Sequence, residues 1–215
     1  MEGENITRMT TVLREPDQTV ILRGIHWDTY ERLLADQQES SGTRLNFDCG
    51  TLEIVSPSSE HEQLKETITL LFQLMASELE IDVVAVGSTT FRRKDLRKGF
   101  EPDASFYIRN AQSIRKRPQI DLRRDPPPDV VVEIEITNPA INKLSIFAAA
   151  AVPEVWLYRD DRVEILALES KTYQKKMESS FLPGVTDEVL TSFVRSSRTM
   201  TSVEWIKAVR TWAKR

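Results

Sequence analysis

The chain has one cysteine, Cys49, and two histidines, His26 and His61, in 215 residues. A lone cysteine closes no internal disulfide, and so few soft ligands nearly exclude a structural zinc site. No apolar run reaches the roughly 18 residues of a membrane span. The N-terminus, Met1-Glu2-Gly3-Glu4-Asn5, is acidic and has neither the basic nor the apolar region of a signal peptide. These absences predict a cytoplasmic protein with no membrane partner. Any metal would be a hard cation held by oxygen: Mg²⁺, Mn²⁺ or Ca²⁺. Positive charge is also short, with 29 Lys and Arg against 33 Asp and Glu, which argues against a generic DNA-coating protein.

What is present is more pointed. Glu101-Pro102-Asp103 and Val130-Val131-Val132-Glu133-Ile134-Glu135-Ile136 set carboxylates into segments that otherwise read as buried strands. Side chains alternate along a strand, so Glu133 and Glu135 share a face. Burying unpaired carboxylates costs about several kcal/mol, and a divalent cation offsets that cost. The competing readings are a turn-capping Asp103 and a solvent-facing edge strand for Glu133 and Glu135.

The net deficit of positive charge hides a basic block. Arg92, Arg93, Lys94, Arg97, Lys98, Arg109, Arg115, Lys116, Arg117, Arg123 and Arg124 face only Asp95, Glu101, Asp103 and Asp121 in the same stretch. A basic rim around carboxylates suits a polyanion held while a metal acts on it, and Arg92, Arg93, Lys94, Arg97, Lys98, Arg115, Lys116 and Arg117 are the expected nucleic-acid contacts. A solvated loop surface is the plainer alternative.

The pattern of elements is mixed α/β. Residues 1–17 read as a flexible lead-in, 18–195 as the domain, and 196–215 as a C-terminal helix. Strands are predicted at 19–22, 44–47, 51–55, 83–86, 91–93, 101–108, 130–137, 155–158, 162–168 and 173–177. Helices are predicted at 27–34, 60–79, 139–150, 187–195 and 203–213. Ser59 and Glu62 have capping-box spacing, and Leu64, Ile68, Leu71, Phe72, Met75 and Leu79 form one stripe. Asn138-Pro139 has the composition of a helix start. The strands near 102–108, 130–137 and 154–158 should share a mixed sheet, with a right-handed crossover through the 139–150 helix. That helix is expected near the one at 60–79. His61 reads as a packed helix-start histidine, with a ligand role as the alternative. Lys143 reads as a solvated helix residue or a catalytic one.

Asp103 after Glu101-Pro102, the run from Pro128 to Pro139, Lys143, and Val152-Pro153-Glu154-Val155-Trp156 together resemble the Uma-two family. These are restriction endonuclease-like proteins of the PD-(D/E)xK nuclease superfamily, and the resemblance covers roughly residues 26 to 195. It implies a restriction-endonuclease-like mixed β-sheet flanked by helices, with a C-terminal helical tail. It also implies an Mg²⁺- or Mn²⁺-dependent endonuclease acting on DNA, possibly RNA, with Asp103 and Glu135 as metal ligands. Glu133 is the competing or additional acid. The superfamily's lysine position holds Thr137 here, and Lys143 matches the lysine often found one or two turns into the next helix. If Lys143 does not take that role, the chain is a catalytically silent nucleic-acid-binding or assembly module. Cutting a duplex needs two sites, which a homodimer supplies, with Phe193, Trp205 and Trp212 available to seal an interface or to cover the protomer's own sheet.

Overall fold

A computed structural model describes residues 16–37, 42–136 and 141–214. Two sheets divide the chain. The first contains β1 (Gln18–Arg23), β2 (Arg44–Asp48), β3 (Thr51–Ser56), β5 (Phe91–Arg93) and β6 (Lys98–Phe100), in the order β1-β3-β2-β6-β5. Helix α1 (Trp27–Asp36) covers one of its faces, where Trp27 and Tyr30 meet Leu45, Phe47 and Leu52. Strands β2 and β3 join through Cys49 and Gly50, both at positive φ (48° and 101°), as a tight hairpin requires. Gly99 has no side chain because a Cβ there would run into the Tyr30 ring.

The second sheet runs β11 (Thr172–Lys176), β10 (Arg162–Glu169), β9 (Glu154–Arg159), β8 (Val130–Glu135), β7 (Ala104–Tyr107), β4 (Val84–Ala85). Strand β8 is central, antiparallel to β7 and parallel to β9. A parallel pair needs a crossover, and α4 (Lys143–Ala149) lies within it. Val130, Val132 and Ile134 face the cluster built on α2 (Ser59–Glu78), with Phe72 stacked on Phe106 at 3.8 Å between ring centroids. Val131 faces the opposite cluster, with Ile146 and Phe147 of α4. The two helices therefore occupy opposite faces, not the same neighbourhood as expected. Apolar residues on both faces of β8 make this possible.

Several boundaries differ from the sequence pattern. Of the predicted strand 101–108 only Ala104–Tyr107 is strand, β7, and Glu101-Pro102-Asp103 is the passage to it from β6 of the other sheet. Helix α2 is capped by Ser58, whose side chain accepts from His61 N, so the Ser59–Glu62 box does not form. Helix α4 starts at Lys143 with Asn142 as its cap, later than the predicted start at Asn138-Pro139, which falls outside the described residues. The connection from β7 to β8 contains one short helix, α3 (Ala111–Ile114). The tail forms α5 (Asp187–Ser196) and α6 (Ser202–Ala213). Trp205 is buried and donates from Nε1 to Phe193 O at 2.8 Å, and Phe193 meets Trp212 edge-on at 6.1 Å. These aromatics cover the protomer's own core, against α2. Among the described residues no helix is long and apolar enough to cross a membrane.

Candidate active site

The site lies where the chain passes from one sheet to the other. Glu101 anchors that passage. Its backbone N–H donates to Asn46 Oδ1 at 3.1 Å, and its carboxylate accepts from Leu45 N at 2.8 Å and from Thr90 Oγ1. Burial raises the Glu101 pKa, more than Thr90, Leu45 and Arg44 lower it. Two residues on, Asp103 is 2% exposed. Its Oδ2 accepts from Ile134 N at 2.6 Å, which ties it to the central strand.

Register brings the second acid alongside. Ala104 pairs with Val132, so Asp103 leads toward Glu133 on β8. Glu133 is fully buried and forms an ion pair with Lys143 at the start of α4. Its Oε2 is buried and has no hydrogen-bond partner among the described residues. Burial disfavours the Lys143 ammonium, but Glu133, with Glu53 adding to it, outweighs that and holds its pKa above the ordinary lysine range. Lys143 is thus buried, not a solvated helix residue.

Glu135 sits at the rim of the same strand, and Arg159 Nη1 approaches it at 3.8 Å. Burial, then the Glu133 charge, raises its pKa. The structure therefore sets Glu133, not Glu135, against Lys143. Thr137 lies outside the described residues.

Four further residues complete the site, and of these the sequence pattern offers only His61, with a ligand role as its alternative reading. His61 is 2% exposed, with Nε2 at 2.8 Å from Asp103 Oδ1 and Nδ1 at 2.8 Å from Asp17 Oδ2. It is a packed helix-start histidine, and it touches the candidate acid. Asp17 falls in the expected lead-in, yet it also accepts from Ser58 N at 2.8 Å. Arg44 on β2 contacts Asp103 Oδ1 and pairs with Glu62 at 2.6 Å. Glu53 on β3 is buried and accepts from Asn46 Nδ2 at 3.1 Å. Arg44, Asn46 and Glu53 occupy the polar half of an alternating hairpin, a pattern that reads as solvent-facing until a second layer covers it.

A cleft of about 840 Å³ opens beside these residues, lined by Arg44, Glu62, Lys65, Thr90, Arg92 and Glu101, among others. A smaller one continues from Arg92 and Thr90 to Lys94, Arg123 and Arg124. The basic block divides around this path. Arg93 pairs with Asp95 at 2.6 Å, Lys98 with Asp48, and Arg97 turns the chain at φ 50°. Arg115 and Arg117 line neither cleft; they pair with Asp82 at 2.6 Å and Asp125 at 3.3 Å. Arg123 and the neighbouring Arg124 hold the Asp121 carboxyl far below its usual range.

Among the described residues no three His, Cys, Asp or Glu side chains gather as a metal cage. The donor set still fits one hard cation. Mg²⁺ commonly takes one or two carboxylates and keeps water elsewhere, and the unpartnered Glu133 Oε2 beside Asp103 is the kind of group such an ion satisfies.

Comparison with known proteins bears on the same architecture. No curated protein matches the chain. A crystal structure described as a "putative nuclease belonging to DUF820 from Anabaena variabilis" is similar at TM-score 0.55 and 13% sequence identity, over 79% of this chain and 99% of that one. At that identity the likeness shows a shared fold. The Uma2 family model, described as "Putative restriction endonuclease", matches residues 27–193, from the start of α1 into α5 and across every site residue except Asp17. The chain belongs to the Uma2 family of restriction endonuclease-like proteins.

Proposed function

We propose that the protein is an Mg²⁺- or Mn²⁺-dependent endonuclease that hydrolyses phosphodiester bonds in DNA. The observation that supports this most is the juxtaposition of Asp103, Glu133 and Lys143, with one Glu133 oxygen buried and unpartnered. Asp103 and Glu133 would hold the ion, so Glu133 takes the place that the family resemblance gave to Glu135. When bound, the ion would acidify a water and polarise a phosphoryl oxygen. A lysine that stays charged does not take a proton from water. Lys143 instead fixes Glu133 and steadies the negative charge that grows on the phosphate. Arg92, Lys94, Arg123 and Arg124 would hold the strand along the clefts. A homodimer would supply a second site for the second DNA strand.

Incubation of purified protein with supercoiled plasmid and either metal should produce nicks. Asp103→Ala and Glu133→Ala should each abolish them, whereas Glu135→Gln should retain most of the activity. Replacing Arg92, Arg123 and Arg124 by Ala should lower the slope of log affinity against log salt by about 0.9 for each phosphate that is no longer neutralised. Arg115→Ala should change it less. No cleavage by wild-type protein with either metal would defeat the enzyme reading.

One observation favours a second reading, a silent nucleic-acid-binding module. Asp103 Oδ1 is already contacted by two nitrogen-bearing side chains, Arg44 and His61. Under that reading, DNA is retained in a gel, uncut, with or without metal.

A further inference from the structure

Arg44 is the one arginine that is buried among the described residues, at 7% exposed. It stands between the acid pair and the larger cleft. Its guanidinium contacts Asp103 Oδ1, lies 3.0 Å from His61 Nε2 and reaches Glu62 Oε1 at 2.6 Å, while the residue also lines the cleft wall with Lys65, Thr90 and Arg92. Oδ2 of Asp103 is bonded to a main-chain N–H of the central strand. A cation approaching Asp103 at Oδ1 therefore competes with His61 and Arg44, which share that oxygen.

These two differ in how firmly they are held. His61 is buried and fixed from behind by Asp17. Arg44 is held at its other end by Glu62, whose side chain is 41% exposed and is itself shared with Lys65 at 2.5 Å. The weaker tether belongs to Arg44, and the space next to it is the cleft. A guanidinium released there meets a phosphate with its planar fork, the geometry that suits two phosphate oxygens.

We infer that Arg44 is an exchangeable internal cation, held on Asp103 while the site lacks a metal ion and turned onto a backbone phosphate of the nucleic acid once an ion occupies Asp103. This rests on the nuclease reading above. It makes Arg44 a binding residue for substrate phosphate and an intrinsic competitor for the metal.

Calorimetric titration with Mn²⁺ alone tests the competition without any turnover. Arg44→Met should bind Mn²⁺ about tenfold more tightly than wild type, equal to about 1.4 kcal/mol. The gain should vanish in the Arg44→Met, Asp103→Asn double variant. Affinity for phosphorothioate-linked duplex DNA should fall in Arg44→Met when Mn²⁺ is present and stay near wild type when it is absent. If wild type and Arg44→Met bind Mn²⁺ equally, Arg44 is a fixed counterion and the inference fails while the nuclease reading stands. If neither binds Mn²⁺, both fail. Should Arg44→Met not fold, wild-type protein gives the answer by NMR. The Arg44 side-chain N–H signals should move on Mg²⁺ addition together with the Ile134 amide. Arg44 signals that stay fixed while Ile134 moves would overturn the inference.

Discussion

The two sheets use the same covalent alphabet to opposite ends. In the six-stranded sheet, β8 buries Val130, Val132 and Ile134 on the side where α2 packs a continuous apolar stripe, and Val131 on the other. In the five-stranded sheet the α1 face of the β2–β3 hairpin is apolar, and the hairpin's other face buries Arg44, Asn46 and Glu53, with Phe91 and Phe100 of β5 and β6 packed toward α4. Each fully buried leucine or isoleucine contributes about 1.5–3 kcal/mol whatever its neighbours are. A buried charge contributes only while its partner is in place. One sheet supplies rigidity and the other supplies a polar wall, and the site forms where the 101–103 passage joins them.

Four substitutions sharpen that contrast, taken from the largest effect down. Lys143→Ala leaves Glu133 buried without its counterion and should cost about 3–5 kcal/mol of stability. The same change should slow nicking by about 10²–10³, the scale of one missing charge-stabilising donor. Adding Glu133→Gln should recover much of the stability and none of the activity, a combination that denaturant melts and plasmid assays separate. Ile68→Ala, in the apolar layer, should cost about 2–5 kcal/mol by leaving a cavity. Activity per folded molecule should then be unchanged, and a parallel loss would mean that the apolar sheet also tunes the site.

The smallest effect is pH-dependent. Burial alone raises the Asp17 pKa, but the bonds from His61 and Ser58 outweigh it and leave the carboxyl below its ordinary value. A carboxylate with a lowered folded-state pKa stabilises above its unfolded value, about 3.9, and loses that contribution as pH falls through the folded one. Asp17→Asn should therefore cost about 0.5–1.5 kcal/mol at pH 7, the size of one hydrogen bond. Melts compared between pH 7 and pH 3 should show the gap between variant and wild type closing in acid. A gap independent of pH would mean that the Asp17 charge contributes nothing beyond its shape.

The apolar layer is the readable part of the chain. The stripe from Leu64 to Met75 and the run Val130–Ile134 identify their elements because burial follows a helix or strand period. Asp103, Glu133 and Lys143 are legible as candidates because charge in an apolar run is costly enough to need a reason. The polar wall is not. Arg44-Leu45-Asn46-Phe47 alternates like any strand with one wet face, and only the arrival of the second sheet makes that face dry. Asp17 escapes a sequence reading because nothing local marks a residue whose partner is His61, across 44 positions. The order Glu133 before Glu135 is a further case. Alternation places both on one face, and only the position of α4 decides which one meets the lysine.

The passage Glu101-Pro102-Asp103 has a consequence for how the site comes together. Asp103 is positioned by Arg44, His61 and Ile134, and Glu133 by Lys143, so segments far apart in sequence must meet before any acid is in place. Closing such long loops is slow compared with forming a helix or a hairpin. Helix α2 and the β2–β3 hairpin are local and form early, whereas the acid pair assembles only when the two sheets dock. A nascent or partly unfolded chain therefore holds neither half of the site in place, and the pairing of the acids is the last act of folding.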